Sequence, residues 1–454
     1  MKLAFMAVVG LLAGGVLSAE VSNVTIRQDW PWSDDVKVTY ELSGASTDNP
    51  VELVITTTSE GQPVAITPSA WVGETCSITE NGTRTLHLDV KKAFRSGAMA
   101  LSAFKVDIAA RPATAASTEV LYRIFDLDTA KVTDVTRGEL LNGKYGSVET
   151  DFGAIGPGYK TTLDDVVIWT GVTNDIAYKT TKLVVRRIPA GSFKGYKVGA
   201  TPPKEDNMSF SFDYWIGVFE MTRAQATKIG HGSRKDSPEL AWTNTIPTHR
   251  VQNYDIYGAG TVRNGTTNRL DLTTGILPNL RKKFKVGDDY PYDFELPSQT
   301  QWVRAMRAGA DGYYYDGCLK PVNLQTNDEF AALGKYLGNG GMVENPDGSI
   351  STNMTVVGQF RPNAYGLYDM LGNVREATRD VSEVTTAQWT TGGEDLCNAG
   401  TGNPTWFFGS AFNHTASEFS FGHNIQGSSS SYFEDGFRVC VQAMDDGVRF
   451  WKTK

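Results

Sequence analysis

Two carboxylates seven residues apart, Asp369 and Glu376, give the first chemical lead in this 454-residue chain. They bound the Asp/Gly/Asn-rich turn of the stretch Asn363 to Glu376, which reads NAYGLYDMLGNVRE. Gly372 lets the backbone fold back between them. Such a turn can aim two carboxylates and the intervening carbonyl oxygens at one point, as a hard cation such as Ca²⁺ requires. The alternative is a tight turn whose carboxylates are structural and need no metal. Other metal chemistry is poorly supplied. The five histidines, His87, His231, His249, His414 and His423, show no His-x₃-His spacing and no neighbouring carboxylate motif. His414 and His423 can meet in space, but a polar surface explains them more simply.

Nucleophilic and redox chemistry are no better served. The four cysteines, Cys76, Cys318, Cys397 and Cys440, are too few for a disulfide-built scaffold, and none forms a Cys-x-x-Cys pair. The three in the C-terminal half allow one bridge and one remaining thiol. There is no nucleophile elbow and no phosphate loop, and Gly258, Gly260 and Gly265 lack the strand–helix context of a dinucleotide site.

A different chemistry is written between Trp406 and Tyr432, WFFGSAFNHTASEFSFGHNIQGSSSSY, which contains no Lys or Arg. Aromatic rings there alternate with Ser, Asn, His and Gly. That mixture suits recognition: rings give contact area at low entropy cost, and the small polar residues adapt their hydrogen bonds. The plain alternative is a loop joining two strands. Phe412, Asn413, His414, Glu418, Phe419, Phe421, His423, Asn424 and Tyr432 are the expected ligand-binding residues. Trp30-Pro31-Trp32 is a second aromatic group, expected to pack into a small core rather than to stack on sugars.

The elements that must position these residues change character along the chain. Lys2, the apolar run Leu3 to Leu17 and the small Ser18 and Ala19 read as a secretory signal over residues 1–19, so the product is expected outside the cytoplasm: secreted, periplasmic or at the cell surface. No cysteine follows for a lipid anchor, and no later run is long enough to span a bilayer. Residues 20–111 alternate in short β-branched runs, among them Val36 to Tyr40, Val51 to Ile55, Leu86 to Val90 and Phe104 to Ile108, which predicts a small antiparallel β-sandwich. His87 falls on the polar side of its strand. Residues 112–177 read as a connector contributing edge strands such as Val120 to Ile124. Residues 178–446 mix short strands, Leu183 to Ile188 and Tyr214 to Phe219, with long Gly/Asn/Tyr-rich loops, which predicts an α+β domain. Two helices there start at capping boxes, Thr222 with Gln225 and Ser298 with Gln301. Residues 447–454 form a tail. At 40% hydrophobic and 21% charged the chain can bury sizeable cores, and its net charge of −8 argues against nucleic acid or an anionic membrane as main partner.

Five segments of the C-terminal part, in order, resemble the formylglycine-generating enzyme (sulfatase-modifying factor) family. They are Leu183 to Phe193 (LVVRRIPAGSF), Asp213 to Gln225 (DYWIGVFEMTRAQ), Glu295 to Gly309 (ELPSQTQWVRAMRAG), the Asn363 to Glu376 loop, and Asp435 to Val439 (DGFRV). The resemblance implies a loop-rich variant of the C-type lectin fold. It implies a structural Ca²⁺ held by the side chains of Asp369 and Glu376 and the backbone oxygens of Gly372 and Val374. The family's Trp-Glu-Trp stands here as Arg375-Glu376-Ala377, and a second family Ca²⁺ site has no match around Gly338 to Gly348. The family's enzymes oxidise a cysteine with O₂ on a copper ion held by two cysteines; aligning on Gly409-Ser410 puts Asn413 and Glu418 at those positions. Neither replaces a thiolate for Cu(I). Another branch holds iron through histidines of a separate helical domain, which the β-rich N-terminal part does not resemble. No copper or iron is therefore expected.

The 406–432 stretch also resembles the variable segment of diversity-generating retroelement proteins built on this fold. The sequence thus points to an exported, non-catalytic binding or display protein with a protein or glycan ligand. An oxidase of the same family, with its metal rebuilt from other ligands, is the first alternative. A structural envelope component is the second.

Overall fold

The structure, a computed structural model, describes residues 19–30, 33, 35–64, 66, 70–94, 103–156, 158–163, 166–196, 203–230, 244–258, 275–312, 314–316, 328–344, 350–352, 354–380, 382–398, 406–415 and 434–443. The chain divides into two compact units, one formed by 1–119 and 136–144 and the other by 120–135 and 145–454. The stretch expected to be a connector is thus shared between them.

In the first unit, one antiparallel sheet runs in the order Glu20–Gln28, Asp35–Ser43, Gly82–Asp89, Trp71–Val72, and a second in the order Gln62–Pro63, Val51–Ser59, Lys105–Pro112. Strict alternation buries Val36, Val38, Tyr40 and Leu42 on one side of their strand, and Val38 pairs across with Leu86. These residues form one hydrophobic cluster with Val51, Val106 and Ile108 of the second sheet. His87 lies on the solvent side, bonded through Nδ1 to Asp35. Trp30 corrects an expectation: it is 52% exposed rather than packed in a core. Trp32 lies outside the described residues.

The second unit is mixed, with mostly antiparallel sheets and few helices. Its main sheet has six strands in the order Tyr292–Glu295, Cys440–Ala443, Tyr214–Gly217, Lys182–Ile188, Val120–Asp126, Val132–Thr136. The run Leu183-Val184-Val185 is buried without alternation because both faces of this sheet are covered. Tyr214, Ile216 and Cys440 face one core with Trp302 and Met370, while Trp215 and Val441 face another with Phe125, Leu280 and Phe294.

Both expected capping boxes form, at Thr222 ahead of Arg223–Lys228 and at Ser298 ahead of Gln299–Arg307. The same device at Thr385 and Gln388 opens a helix, Thr386–Thr391, that sequence reading passed over. Among the described residues no helix is long and apolar enough to cross a membrane. The 299–307 helix is wholly buried and carries Trp302 toward the candidate site. Replacing Ser298 by alanine removes its bond to the Gln301 amide, and we expect a loss of about 1 kcal/mol, read as a lower urea midpoint at unchanged slope.

Candidate functional site

The Asn363–Glu376 loop is fixed from several sides. Asn363 is fully buried; its Nδ2 donates to the carbonyls of Ala305 and Met306, and its Oδ1 accepts from the amides of Tyr365 and Leu367. One side chain therefore closes the loop and ties it to the 299–307 helix. Gly366 is left-handed at φ +78, and a Cβ there would lie 2.4 Å from the Tyr122 hydroxyl, so only glycine fits. Further on, Gly372 donates to the Gly409 carbonyl at 2.7 Å and Asn373 to the Lys335 carbonyl at 2.8 Å.

Glu376 emerges in the short strand Arg375–Ala377, between Phe407–Phe408 and Asp435–Gly436. Its Oε2 accepts from Trp302 Nε1 and Arg438 Nε, both at 2.7 Å, and its Oε1 accepts from Arg438 Nη2 at 2.6 Å. Arg438 is fully buried and also donates to the carbonyls of Gly217, Val218 and Tyr368. The neighbouring Glu220 accepts from the Val374 amide at 3.0 Å and from Asn373 Nδ2 at 2.7 Å. Asp369, left-handed at φ +54, accepts from the Gly358 amide through Oδ2, while its buried Oδ1 has no partner.

These contacts test the expected Ca²⁺ set. Asp369 and Glu376 do lie in one electrostatic cluster, joined by Glu220, Arg438 and Lys179. Yet both Glu376 oxygens are already engaged by Arg438 and Trp302, and only Asp369 Oδ1 is open. Among the described residues no group of three or more His, Cys, Asp or Glu is arranged to hold a metal. The residues present do not fit the ion as a carboxylate cage.

Sequence reading missed Glu220, Trp302, Arg438 and Lys179. Each is a polar or aromatic residue in a stretch already noted or beside one, and its burial was the missing information. The two lost indoles have different replacements. Arg375 is buried and pairs with Asp435 through Nε, while Ala377 joins the core that contains Phe407.

The expected binding face is only partly described. Phe412 is 1% exposed and packs with Ile246, Met354, Val374 and Ala411. That corrects its expected role: the ring is core, and the Phe412 amide bonds the Asn373 carbonyl at 3.0 Å. Asn413 and His414 are half-buried. Asn413 Oδ1 is enclosed without a partner, and His414 Nδ1 lies 3.2 Å from Ser410 Oγ. Glu418, Phe419, Phe421, His423, Asn424 and Tyr432 lie outside the described residues. Of the thiols, Cys440 is fully buried in its strand and burial pushes it up; Cys397 hydrogen-bonds Asp380.

Burial, opposed by the Gly358 amide and Arg438, raises the Asp369 carboxyl from 3.8 to about 6, and burial beside Asp369 and Glu376 holds Glu220 well above its ordinary range. A carboxyl raised in the folded state favours the protonated protein. Its contribution is therefore full below the unfolded value of 3.8 and is lost as pH rises through about 6. Over that interval we expect stability to fall by on the order of 1–3 kcal/mol, and Asp369→Asn to flatten the slope in pH-dependent urea melts. We also expect Phe412→Ala to cost about 3–5 kcal/mol in the same assay, as for other buried rings.

Among curated protein sequences there is no match. Among solved structures, Treponema denticola variable protein 1 is similar at 20% identity and a TM-score of 0.40, covering 57% of this chain and 95% of that one. PvdO from Pseudomonas aeruginosa is similar at 18% identity and a TM-score of 0.39, covering 57% of this chain and 94% of that one. The sulfatase-modifying factor enzyme 1-like domain matches residues 177–443, more than half of the chain, and it is to this family that the protein belongs.

Proposed function

We propose that this chain is an exported recognition protein that keeps the family scaffold without its copper oxidase chemistry. The observation that carries the reading is Asn413. It stands where the family resemblance puts a metal-binding thiolate, and an amide is a poor ligand for Cu(I). Its Oδ1 has no partner, so the position carries an unused hard acceptor where the resemblance expects a soft donor. Cys440 does not replace the thiol, because a fully buried sulfur held protonated is neither exposed nor ionised.

On this reading the domain is a C-type-lectin-like variant preceded by a small β-sandwich, which accords with the shared hydrophobic cluster of the first unit's two sheets. The ligand is a protein or glycan, met by Asn413 and His414 together with Glu418, Phe419, Phe421, His423, Asn424 and Tyr432. Phe412 supports that face from beneath. Diversification of the segment by a retroelement is part of the same proposal, in keeping with its mixture of aromatic rings with Ser, Asn and Gly.

Two measurements test it. Purified protein incubated with copper, O₂ and a cysteine-containing peptide is expected to yield no aldehyde by mass spectrometry; stoichiometric aldehyde would reinstate the oxidase. On protein and glycan arrays, Asn413→Ala combined with His414→Ala is expected to lose the parent's signal at least tenfold, about 1.4 kcal/mol, while melting at the same temperature. An equal signal from parent and variant sinks the proposed face.

A further inference from the structure

We propose that the guanidinium of Arg438 takes the place of a bound metal as the cation of the 369–376 loop, so that the loop is Ca²⁺-independent. This is separate from the recognition reading and stands whether or not a ligand binds at Asn413.

Three buried carboxylates meet at the loop: Glu220, Asp369 and Glu376. Arg438 and Trp302 engage both oxygens of Glu376. The Val374 amide and Asn373 Nδ2 engage both oxygens of Glu220. The Gly358 amide engages Asp369 Oδ2. Asp369 Oδ1 alone is left open. Ca²⁺ takes six to eight oxygen ligands at 2.3–2.6 Å, usually several of them carboxylate. One open carboxylate oxygen is a poor start for that shell, and a dication on Glu376 would also be pressed against the guanidinium already bonded there.

Arg438 meets the same need by a different geometry. Its planar fork donates from Nε and Nη2 to the two Glu376 oxygens, and from Nη1 to the carbonyls of Gly217 at 2.8 Å and Val218 at 3.2 Å. Nη2 also reaches the carbonyls of Tyr368 at 2.9 Å and Asp369 at 3.4 Å. Carbonyls from the end of the Tyr214–Gly217 strand and from the loop, plus one carboxylate, converge on one positive group. That is the ligand chemistry of a hard-cation site, here organised around N–H donors rather than an ion.

The test uses the full chain, melted in EGTA and again across a Ca²⁺ titration into the millimolar range. We expect superimposable melting temperatures, and Asp369→Asn melting no lower than the parent under both conditions. Arg438→Lys, which keeps the charge but not the fork, is expected to melt lower with no recovery on adding Ca²⁺. If Arg438→Lys does not fold, the comparison of parent and Asp369→Asn still decides the matter. A saturable rise in the parent's melting temperature with Ca²⁺, abolished by Asp369→Asn, overturns the assignment.

Discussion

The ion pair between Arg438 and Glu376 is the constraint on which the C-terminal unit is arranged. Both residues are fully buried, so each would impose a large desolvation penalty without the other. The pair joins the segment between the strands Asp435–Gly436 and Cys440–Ala443 to the short strand at the end of the 363–376 loop. Trp302 adds the buried helix to the same carboxylate. Three elements distant in sequence thus share one anchor. Hydrogen bonds to Gly217, Val218 and Tyr368 extend it into the main sheet and the loop. A buried pair of this kind adds little net stability over an apolar replacement, but removal of one partner leaves an uncompensated charge.

Around that anchor the loop is made specific by polar groups that leave few alternatives. Asn363 satisfies two carbonyls and two amides with one amide side chain. Glu220 brackets Asn373 and Val374 from the neighbouring segment. Left-handed backbone at Asp369, Gly372 and Asn373 turns the chain sharply enough to present the Asn373 carbonyl to Phe412. The base of the proposed binding face is therefore inherited from the loop.

Much of this was legible in the sequence, and the failures are instructive. Capping boxes at Thr222 and Ser298 and the unalternating Leu183-Val184-Val185 run follow from local rules, because caps and strand periodicity depend on neighbours in sequence. The importance of the 363–376 loop was legible too. What it holds was not: five of the six carboxylate oxygens there find partners, four of them across long stretches of sequence, and spacing between Asp369 and Glu376 cannot report that. Phe412 failed for a related reason. An aromatic among Ser, Asn and His reads as a contact residue, yet tertiary packing against Ile246, Met354 and Val374 claims it. Trp30 failed the opposite way: its indole stands largely in solvent between the strands Glu20–Gln28 and Asp35–Ser43.

The strand order of the main sheet bears on where this protein can be cut. The family match starts at residue 177, yet the strands Val120–Asp126 and Val132–Thr136 precede it and complete the sheet beside Lys182–Ile188. A fragment trimmed to the family boundary would bare the edge of a strand buried on both faces, an invitation to intermolecular pairing. The unit that folds is longer than the unit that recurs, and its extra piece is threaded through the neighbouring unit's sequence.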